Sequence, residues 1–266
     1  MSDWQVPGVL GRIASKTRKR VAELKKQQPP QALAAALSHR PRDFRAAFAG
    51  PGPNVIAEVK LASPSRGAIA PELVPVDVAK AYLKSGAKAL SVLTEPFEFK
   101  GDVEYLRQIR AACPEALLLM KDFFVDTYQL KQALWAGADA ILVIVAMLGP
   151  EGSRQMWQAA LDHGLTPLVE VHNDAELDIA LGFGAELIGI NNRNLIDLNI
   201  DLATTEALAA KVPDGVVMIG ESGIETREDM ERLSAAGCHG FLVGSSLMAT
   251  GAPGAALAKL IARERP

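Results

Sequence analysis

The chain has 266 residues, 49% of them hydrophobic, which is enough to bury the core of one large domain or two small ones. A formal net charge of −3 gives no global pull toward nucleic acid or an anionic membrane. Two cysteines, Cys113 and Cys238, make neither a disulfide framework nor a metal-ligand spacing, so a reducing cytoplasm is expected. No apolar run reaches the ~18–20 residues of a membrane span, and the start MSDWQVPGVLGRIASK lacks the charged-then-apolar order of a secretory signal.

Residues 1–50 read as a helical extension around the break Gln27-Gln28-Pro29-Pro30, followed by the Pro/Gly-rich link AGPGPN. Arg12 to Lys26 is rich in Lys and Arg. Leu10, Ile13, Val21 and Leu24 share one side of it, so an amphipathic helix with solvated charges is expected, its apolar side packed on the rest of the domain. From Asn54 onward, eight strand candidates alternate with helical stretches. They are NVIAEVK, ALSVLT from Ala89, ALLLMKDF from Ala116, AILVIVAML from Ala140, TPLVEV from Thr166, LIGINNR from Leu187, VVMIGES from Val216 and GFLVGSS from Gly240. Most are near-continuous apolar runs, as parallel strands covered by helices require. The stretches between them, such as DVEYLRQIRAA and REDMERLSAA, carry helical periodicity with charged outer faces.

A weak repeat links SGAKALSVL, AGADAILVI, FGAELIGI and AGCHGFLVG. Gly86, Gly137, Gly184 and Gly237 recur at spacings of 51, 47 and 53, each suited to end a helix in the left-handed conformation before a strand. Each period holds about two βα units. Eight such units argue for a closed (β/α)8 TIM barrel, read as one domain over 1–266 with the strands and crossovers in 54–248. An open doubly wound sheet is the alternative, but SPSRG is a poor match to the Gly-rich turn expected after its first strand.

Active sites of such barrels lie at the C-terminal ends of the strands. Polar residues collect there: Glu58 and Lys60 on strand 1, Thr94-Glu95 on strand 2, Lys121-Asp122 on strand 3 and Glu170 and His172 on strand 5. Strand 6 ends in Asn191-Asn192-Arg193, strand 7 in Glu221-Ser222-Gly223 and strand 8 in Gly244-Ser245-Ser246. Taken singly, each has a plain reading: Glu58 and Lys60 as a structural ion pair, His172 as a loop or core histidine, the Ser-Gly and Gly-Ser steps as turns. Together they put two lysines, several carboxylates and an asparagine on one rim, where buried charges find partners. Gly223 and Gly244 let backbone amides approach an anion, and SSLMAT is placed to begin a short helix whose N–H groups face it.

The motifs EVKLASPSRG, VLTEPFEFKGD, MKDFFVDTYQL, GADAILVIV, LVEVH, GINNRNL, GESGI and VGSSLM, in this order and spacing over residues 54–248, resemble indole-3-glycerol-phosphate synthases. The resemblance implies a (β/α)8 enzyme of tryptophan biosynthesis. Such an enzyme is a carboxy-lyase that turns 1-(2-carboxyphenylamino)-1-deoxyribulose 5-phosphate into indole-3-glycerol phosphate, CO2 and water. It implies neither a metal nor an organic cofactor, no nucleic-acid or membrane partner, and a monofunctional chain without a fused isomerase domain, expected to be monomeric. By resemblance, Lys121 is the general acid of ring closure, Glu170 the base of dehydration, and Lys60 a second acid and partner of the substrate carboxylate. Glu58 orients the lysines, and Asn191 bonds sugar hydroxyls or the carbonyl oxygen. Arg193 faces the carboxylate, Phe99 and Phe123 pack on the anthranilate ring, and Ser63, Glu221, Ser222, Gly223, Gly244 and Ser245 bind substrate. Of these, Ser63, Ser222, Gly223, Gly244 and Ser245 hold the phosphate, with Lys60 or Arg66 adding charge. Departures from the family pattern fall at Leu61, Arg66, Asn194 and Gly220; Ser245 stands where many members carry Glu. Two rivals are a related phosphate-binding isomerase barrel, which the paired-lysine motifs EVK and KDF do not fit, and an inactive scaffold, which need not keep Glu58, Lys60, Lys121, Glu170 and Asn191 together.

Overall fold

The computed structural model describes residues 6, 8–35, 39–63, 67–195 and 198–262. Eight parallel strands close into a barrel: β1 (Val55–Val59), β2 (Ala89–Leu93), β3 (Leu118–Lys121), β4 (Ala140–Ile144), β5 (Thr166–Val171), β6 (Leu187–Asn191), β7 (Val217–Glu221) and β8 (Gly240–Val243). Sequence neighbours are sheet neighbours, and β8 closes on β1 with Val55 opposite Phe241. Before the barrel run α1 (Gly8–Gln27) and α2 (Pro30–Ala35). The crossovers carry α3 (Pro75–Lys84), α4 (Val103–Ala112), α5 (Tyr128–Ala136), α6 (Val145–Asp162), α7 (Asp174–Gly182), α8 (Ala203–Ala209) and α9 (Arg227–Ala235). After β8 come the one-turn α10 (Ser245–Met248) and α11 (Pro253–Ile261). Among the described residues no helix is long and apolar enough to cross a membrane.

Strand alternation divides the core in two. Val55, Ala57 and Val59 of β1 face outward into the layer beneath the helices, with Val78 and Tyr82 of α3. Ile56 faces inward, in the same cluster as Leu119 of β3, Leu168 of β5 and Ile219 of β7. Because both faces are dry, the strands read as continuous apolar runs. The four repeated glycines have φ of 96°, 88°, 86° and 107°, the left-handed geometry that L side chains resist. Local signals set the helix starts. Asp102 caps α4 by accepting from the Glu104 N–H at 2.9 Å, and Thr226 with Asp229 forms a capping box on α9.

One expected strand is shorter than its apolar run. AILVIVAML stops pairing at Ile144, and Val145 onward turns helical, interrupted at Gly149 (φ 66°, ψ −177°) before Pro150. Hydrophobicity without a period does not separate a buried strand from a buried helix.

The extension wraps the barrel from end to end. Near its close, Phe44 and Phe48 (ring centroids 5.6 Å apart) join the inner core. A Cβ at Gly240 would lie 2.7 Å from the Phe48 ring, so the start of β8 has no side chain in order to admit it. At the other end Val9, Leu10 and Ile13 of α1 border the barrel mouth.

Candidate active site

Two residues beyond the inward Ile56, Leu119, Leu168 and Ile219, the same faces of β1, β3, β5 and β7 carry Glu58, Lys121, Glu170 and Glu221. Alternate strands of a (β/α)8 barrel fill its interior in layers of four. Here the top layer is three carboxylates and one ammonium instead of four hydrocarbons. Lys121 Nζ donates to Glu170 Oε2 at 3.1 Å and to Glu221 Oε2 at 3.2 Å. Lys60, just past β1, pairs with Glu58 Oε1 at 2.6 Å, and Ser91 Oγ lies 3.4 Å from Glu58 Oε2. Glu58, Glu170 and Glu221 are all buried.

Two glycines make this layer possible. A Cβ on Gly189 of β6 would lie 2.0 Å from Glu221 Oε1, and one on Gly244 would lie 2.6 Å from Glu58 Oε1. Gly244 therefore makes room for a carboxylate of the top layer. A side chain there would strike Glu58 before it reached any bound anion.

The electrostatics separate the groups. Burial works against the charge of Lys121, but Glu221, Glu170 and Glu58 outweigh it and hold its pKa above the ordinary lysine value. Burial likewise works to raise Glu170, yet Lys121 and His172 together hold it well below the carboxylate range. Glu221 goes the other way: burial, the neighbouring Glu170 and Glu58 raise it despite Lys121. The two carboxylates on one lysine thus have opposite tendencies.

The cavity above this layer, about 220 Å3, is bordered by Glu58, Lys60, Ser63, Phe99, Lys121, Phe123, Glu170, Asn191, Arg193, Glu221, Ser222, Gly223, Gly244 and Ser245, the residues other than Arg66 to which the resemblance gives a role. Phe99 and Phe123 stand side by side, centroids 6.0 Å apart. Ser222 and Gly223 both have positive φ, 65° and 79°, so the turn after β7 carries backbone strain at a non-glycine residue. Arg66 lies outside the described residues. Of the departures, Gly220 faces the helix layer, where a Cβ would meet Leu233, Ile224 and Cys238, and Leu61 packs on the outer core. Asn194 sits in the turn after β6, donating to the Asn199 carbonyl at 2.8 Å.

Several neighbours have other duties. Glu95 accepts from the N–H groups of Phe97, Glu98 and Phe99 and builds the loop after β2. Asn192 donates to the Glu221 and Ser222 carbonyls at 3.0 Å and so holds the strained turn. His172, expected as a loop or core histidine, lies in the loop just past β5 with its side chain largely buried, between Glu170 (3.4 Å) and Glu176 (3.0 Å). The spacing that marks it is Glu170-x-His172, which continues the alternation of β5 one residue past its end, with Glu176 four residues further on.

The charges of α1 are not simply solvated either. Lys16 reaches Glu98, Lys25 reaches Asp126, and Arg20 Nη2 donates to both oxygens of Asp122 at 2.8 and 2.9 Å. The Asp122 side chain is 1% exposed; it also accepts from Thr94 Oγ1 at 2.8 Å, next to Lys121. Arg20→Ala would leave that carboxylate buried and short of its cation, at a cost of about 3 kcal/mol. Lys16→Ala, whose pair is exposed, should cost under about 1 kcal/mol. Denaturant midpoints of the two variants measure the difference, and equal small losses would overturn the assignment of Arg20 as the clamp.

Comparison with known proteins agrees with this geometry. The family model described as indole-3-glycerol phosphate synthase matches residues 10–260. The indole-3-glycerol phosphate synthase of Albidiferax ferrireducens is 41% identical over 260 residues, covering 96% of this chain and 98% of the relative. That of Chromobacterium violaceum is 44% identical over 248 residues, covering 86% and 93%. Among solved structures, a 3-hexulose-6-phosphate synthase aligns over 78% of this chain and 97% of its own (TM-score 0.62, 16% identity). The tryptophan synthase alpha chain of Legionella pneumophila aligns over 82% and 93% (TM-score 0.59, 19% identity). At such low identity these two speak for the barrel alone. With the family model spanning residues 10–260 and relatives above 40% identity covering 86–96% of the chain, the chain belongs to the indole-3-glycerol phosphate synthase family.

Proposed function

We propose that the Lys121–Glu170–Glu221 layer carries out ring closure, decarboxylation and dehydration of 1-(2-carboxyphenylamino)-1-deoxyribulose 5-phosphate to indole-3-glycerol phosphate. The observation that carries this reading is one ammonium in contact with two buried carboxylates whose pKa values move apart. In ring closure the carboxylate-bearing ring carbon attacks the ketose carbonyl carbon, and Lys121 delivers a proton to the oxygen as charge builds there. Loss of CO2 leaves its electron pair with the ring, which regains aromaticity. In dehydration Glu170 removes a proton from the methylene carbon while an acid protonates the departing hydroxyl, giving water. Two protons are delivered and one removed, so each turnover takes one proton from solvent. Because Lys121 and Glu170 touch, the proton Glu170 gains returns to Lys121 in one step.

Around this centre Lys60, held by Glu58, supplies the second acid and faces the substrate carboxylate with Arg193. Asn191 bonds the sugar oxygens and the Phe99–Phe123 pair receives the anthranilate ring. Ser63 with the backbone of Ser222, Gly223, Gly244 and Ser245 takes the phosphate. The two cysteines of the chain are free and buried, which fits a cytoplasmic setting.

The test is to mix the protein with substrate and follow indole fluorescence and CO2. Glu170→Gln keeps the shape of the side chain and removes the base. It should leave KM near the parent value, lower kcat by roughly 10²–10⁴, and let the decarboxylated, still hydroxylated intermediate accumulate. Product at the parent rate would remove Glu170 from the base role.

A further inference from the structure

Glu170 and Glu221 flank the same ammonium at almost the same distance, 3.1 and 3.2 Å, and both are buried. Contact with Lys121 alone gives no reason for one of them, and not the other, to be the anion that removes a proton. The difference lies on the far side of Glu170. Its second oxygen, Oε1, is 3.4 Å from His172 Nε2, whereas among the described residues Glu221 is paired with Lys121 alone and its Oε1 has no hydrogen-bond partner.

The imidazole of His172 is held in one orientation. Its Nδ1 lies 3.0 Å from Glu176 Oε2, and that oxygen also accepts from the His172 backbone N–H at 2.9 Å. Glu176 is itself fixed in the first turn of α7: its Oε1 accepts from Asn173 Nδ2 at 2.7 Å, and its N–H donates to Asn173 Oδ1 at 3.0 Å. A carboxylate only accepts, so Nδ1 is the donor to Glu176. In a neutral ring Nε2 would then present a lone pair to the Glu170 carboxylate, in a side chain only 9% exposed. The protonated ring presents N–H instead. Burial opposes that charge, but Glu170 and Glu176 outweigh it and raise the His172 pKa to about 9.

We propose that His172 is a positioning residue: clamped by Glu176, it sets a buried positive charge beside Glu170 and not beside Glu221, and so decides which of the two carboxylates on Lys121 serves as the base. The proposal rests on the reading of Glu170 as the base of dehydration. Charge then alternates along one line, Glu176, His172, Glu170, Lys121, Glu221, from the outer helix layer into the barrel mouth. The charged groups facing His172 are Glu170 near the end of β5, two residues before it, and Glu176 on α7; those facing Glu170 are His172 and Lys121 of β3, with Glu221 of β7 across the lysine. His172 touches no reacting atom. It acts through charge: its Nε2 stands 3.4 Å from Glu170 Oε1 without a directed hydrogen bond and favours the ionised state of Glu170.

The test compares His172→Gln and Glu176→Gln, each in the parent and in the Glu170→Gln background, by kcat and KM as a function of pH. His172→Gln keeps a neutral donor and removes the charge. KM should stay within about twofold while kcat falls roughly tenfold, the lower range for removing a group that orients a functional side chain. The acid limb of kcat should move to higher pH, since Glu170 has lost a neighbouring cation. Glu176→Gln keeps the ring but loosens its proton, so the alkaline fall of kcat should move to lower pH. Neither change should matter further once Glu170 is Gln. Parent kcat and pH limbs in the folded variants overturn the proposal, as does an equal loss in both backgrounds. If His172→Gln does not fold, an unmoved alkaline limb in Glu176→Gln overturns it. If Glu170→Gln alone runs at the parent rate, it is the base assignment that has failed, and the result is distinguishable because it appears before His172 is touched.

Discussion

Lys121→Met is expected to fold with a near-parent thermal midpoint and to lose on the order of 10²–10⁴ in kcat, the range for a positioned general acid. Methionine keeps much of the length and apolar stem and removes the ammonium. What remains in the top layer is three buried carboxylates, Glu58, Glu170 and Glu221, with Lys60 and His172 as the neighbouring cations. Glu221, already the carboxylate inclined to hold a proton, takes one up, which limits the cost to folding. The reaction has no such relief. The carbonyl oxygen loses its donor, and Glu170 loses the neighbour that takes back its proton. Single-turnover mixing should show the block before CO2 release, whereas Glu170→Gln blocks after it. Saturating substrate turned over at the parent rate, with the variant folded, would exclude Lys121 as the acid.

The top layer was legible because strand periodicity carries it. Ile56-x-Glu58, Leu119-x-Lys121, Leu168-x-Glu170 and Ile219-x-Glu221 each step from hydrocarbon to charge on one face. Other parts depend on what a residue meets, and a sequence does not print that. Asn191 and Asn192 are adjacent, yet one borders the cavity and the other clamps the turn after β7. Gly244 reads as a turn or an anion cradle, while the space it leaves is occupied by Glu58. His172 acquires meaning only when α7 returns Glu176 to it. The cations of α1 look solvated because their partners Glu98, Asp122 and Asp126 lie at least 82 residues away.

The opposite end of the barrel holds a second buried charge network, and its expected response to mutation is the reverse. Asp139, just before β4, is fully buried. Its Oδ2 accepts from Arg110 Nη2 at 2.6 Å and from the Leu118 N–H at 2.9 Å; its Oδ1 accepts from the Arg42 N–H at 3.0 Å and lies 3.0 Å from His39 Nε2. One carboxylate thus ties α4, the start of β3 and the extension together at the end away from the cavity. Asp139→Ala would leave Arg110 Nη2 and two amides without their acceptor and the guanidinium without its buried counter-charge, a loss of about 3–5 kcal/mol by analogy with breaking a buried ion pair from one side. KM and kcat of the folded fraction should stay near the parent values, since the N-terminal face of such a barrel serves stability. The sign of the pH dependence follows from the carboxyl itself. Burial raises its pKa, but the bonds from His39, Arg42 and Leu118 and the charge of Arg110 outweigh that and lower it from 3.8 to about 2. A carboxyl depressed on folding contributes fully above its unfolded value, and the contribution fades as the pH falls from about 3.8 through 2. The gap in stability between parent and Asp139→Ala should therefore be constant near neutrality and shrink in acid below about pH 4. Denaturant titrations at neutral pH and in that acid window measure it. A variant as stable as the parent at neutral pH would show that Asp139 is dispensable, and one that lost kcat while keeping its stability would place this network in the reaction and not in the fold.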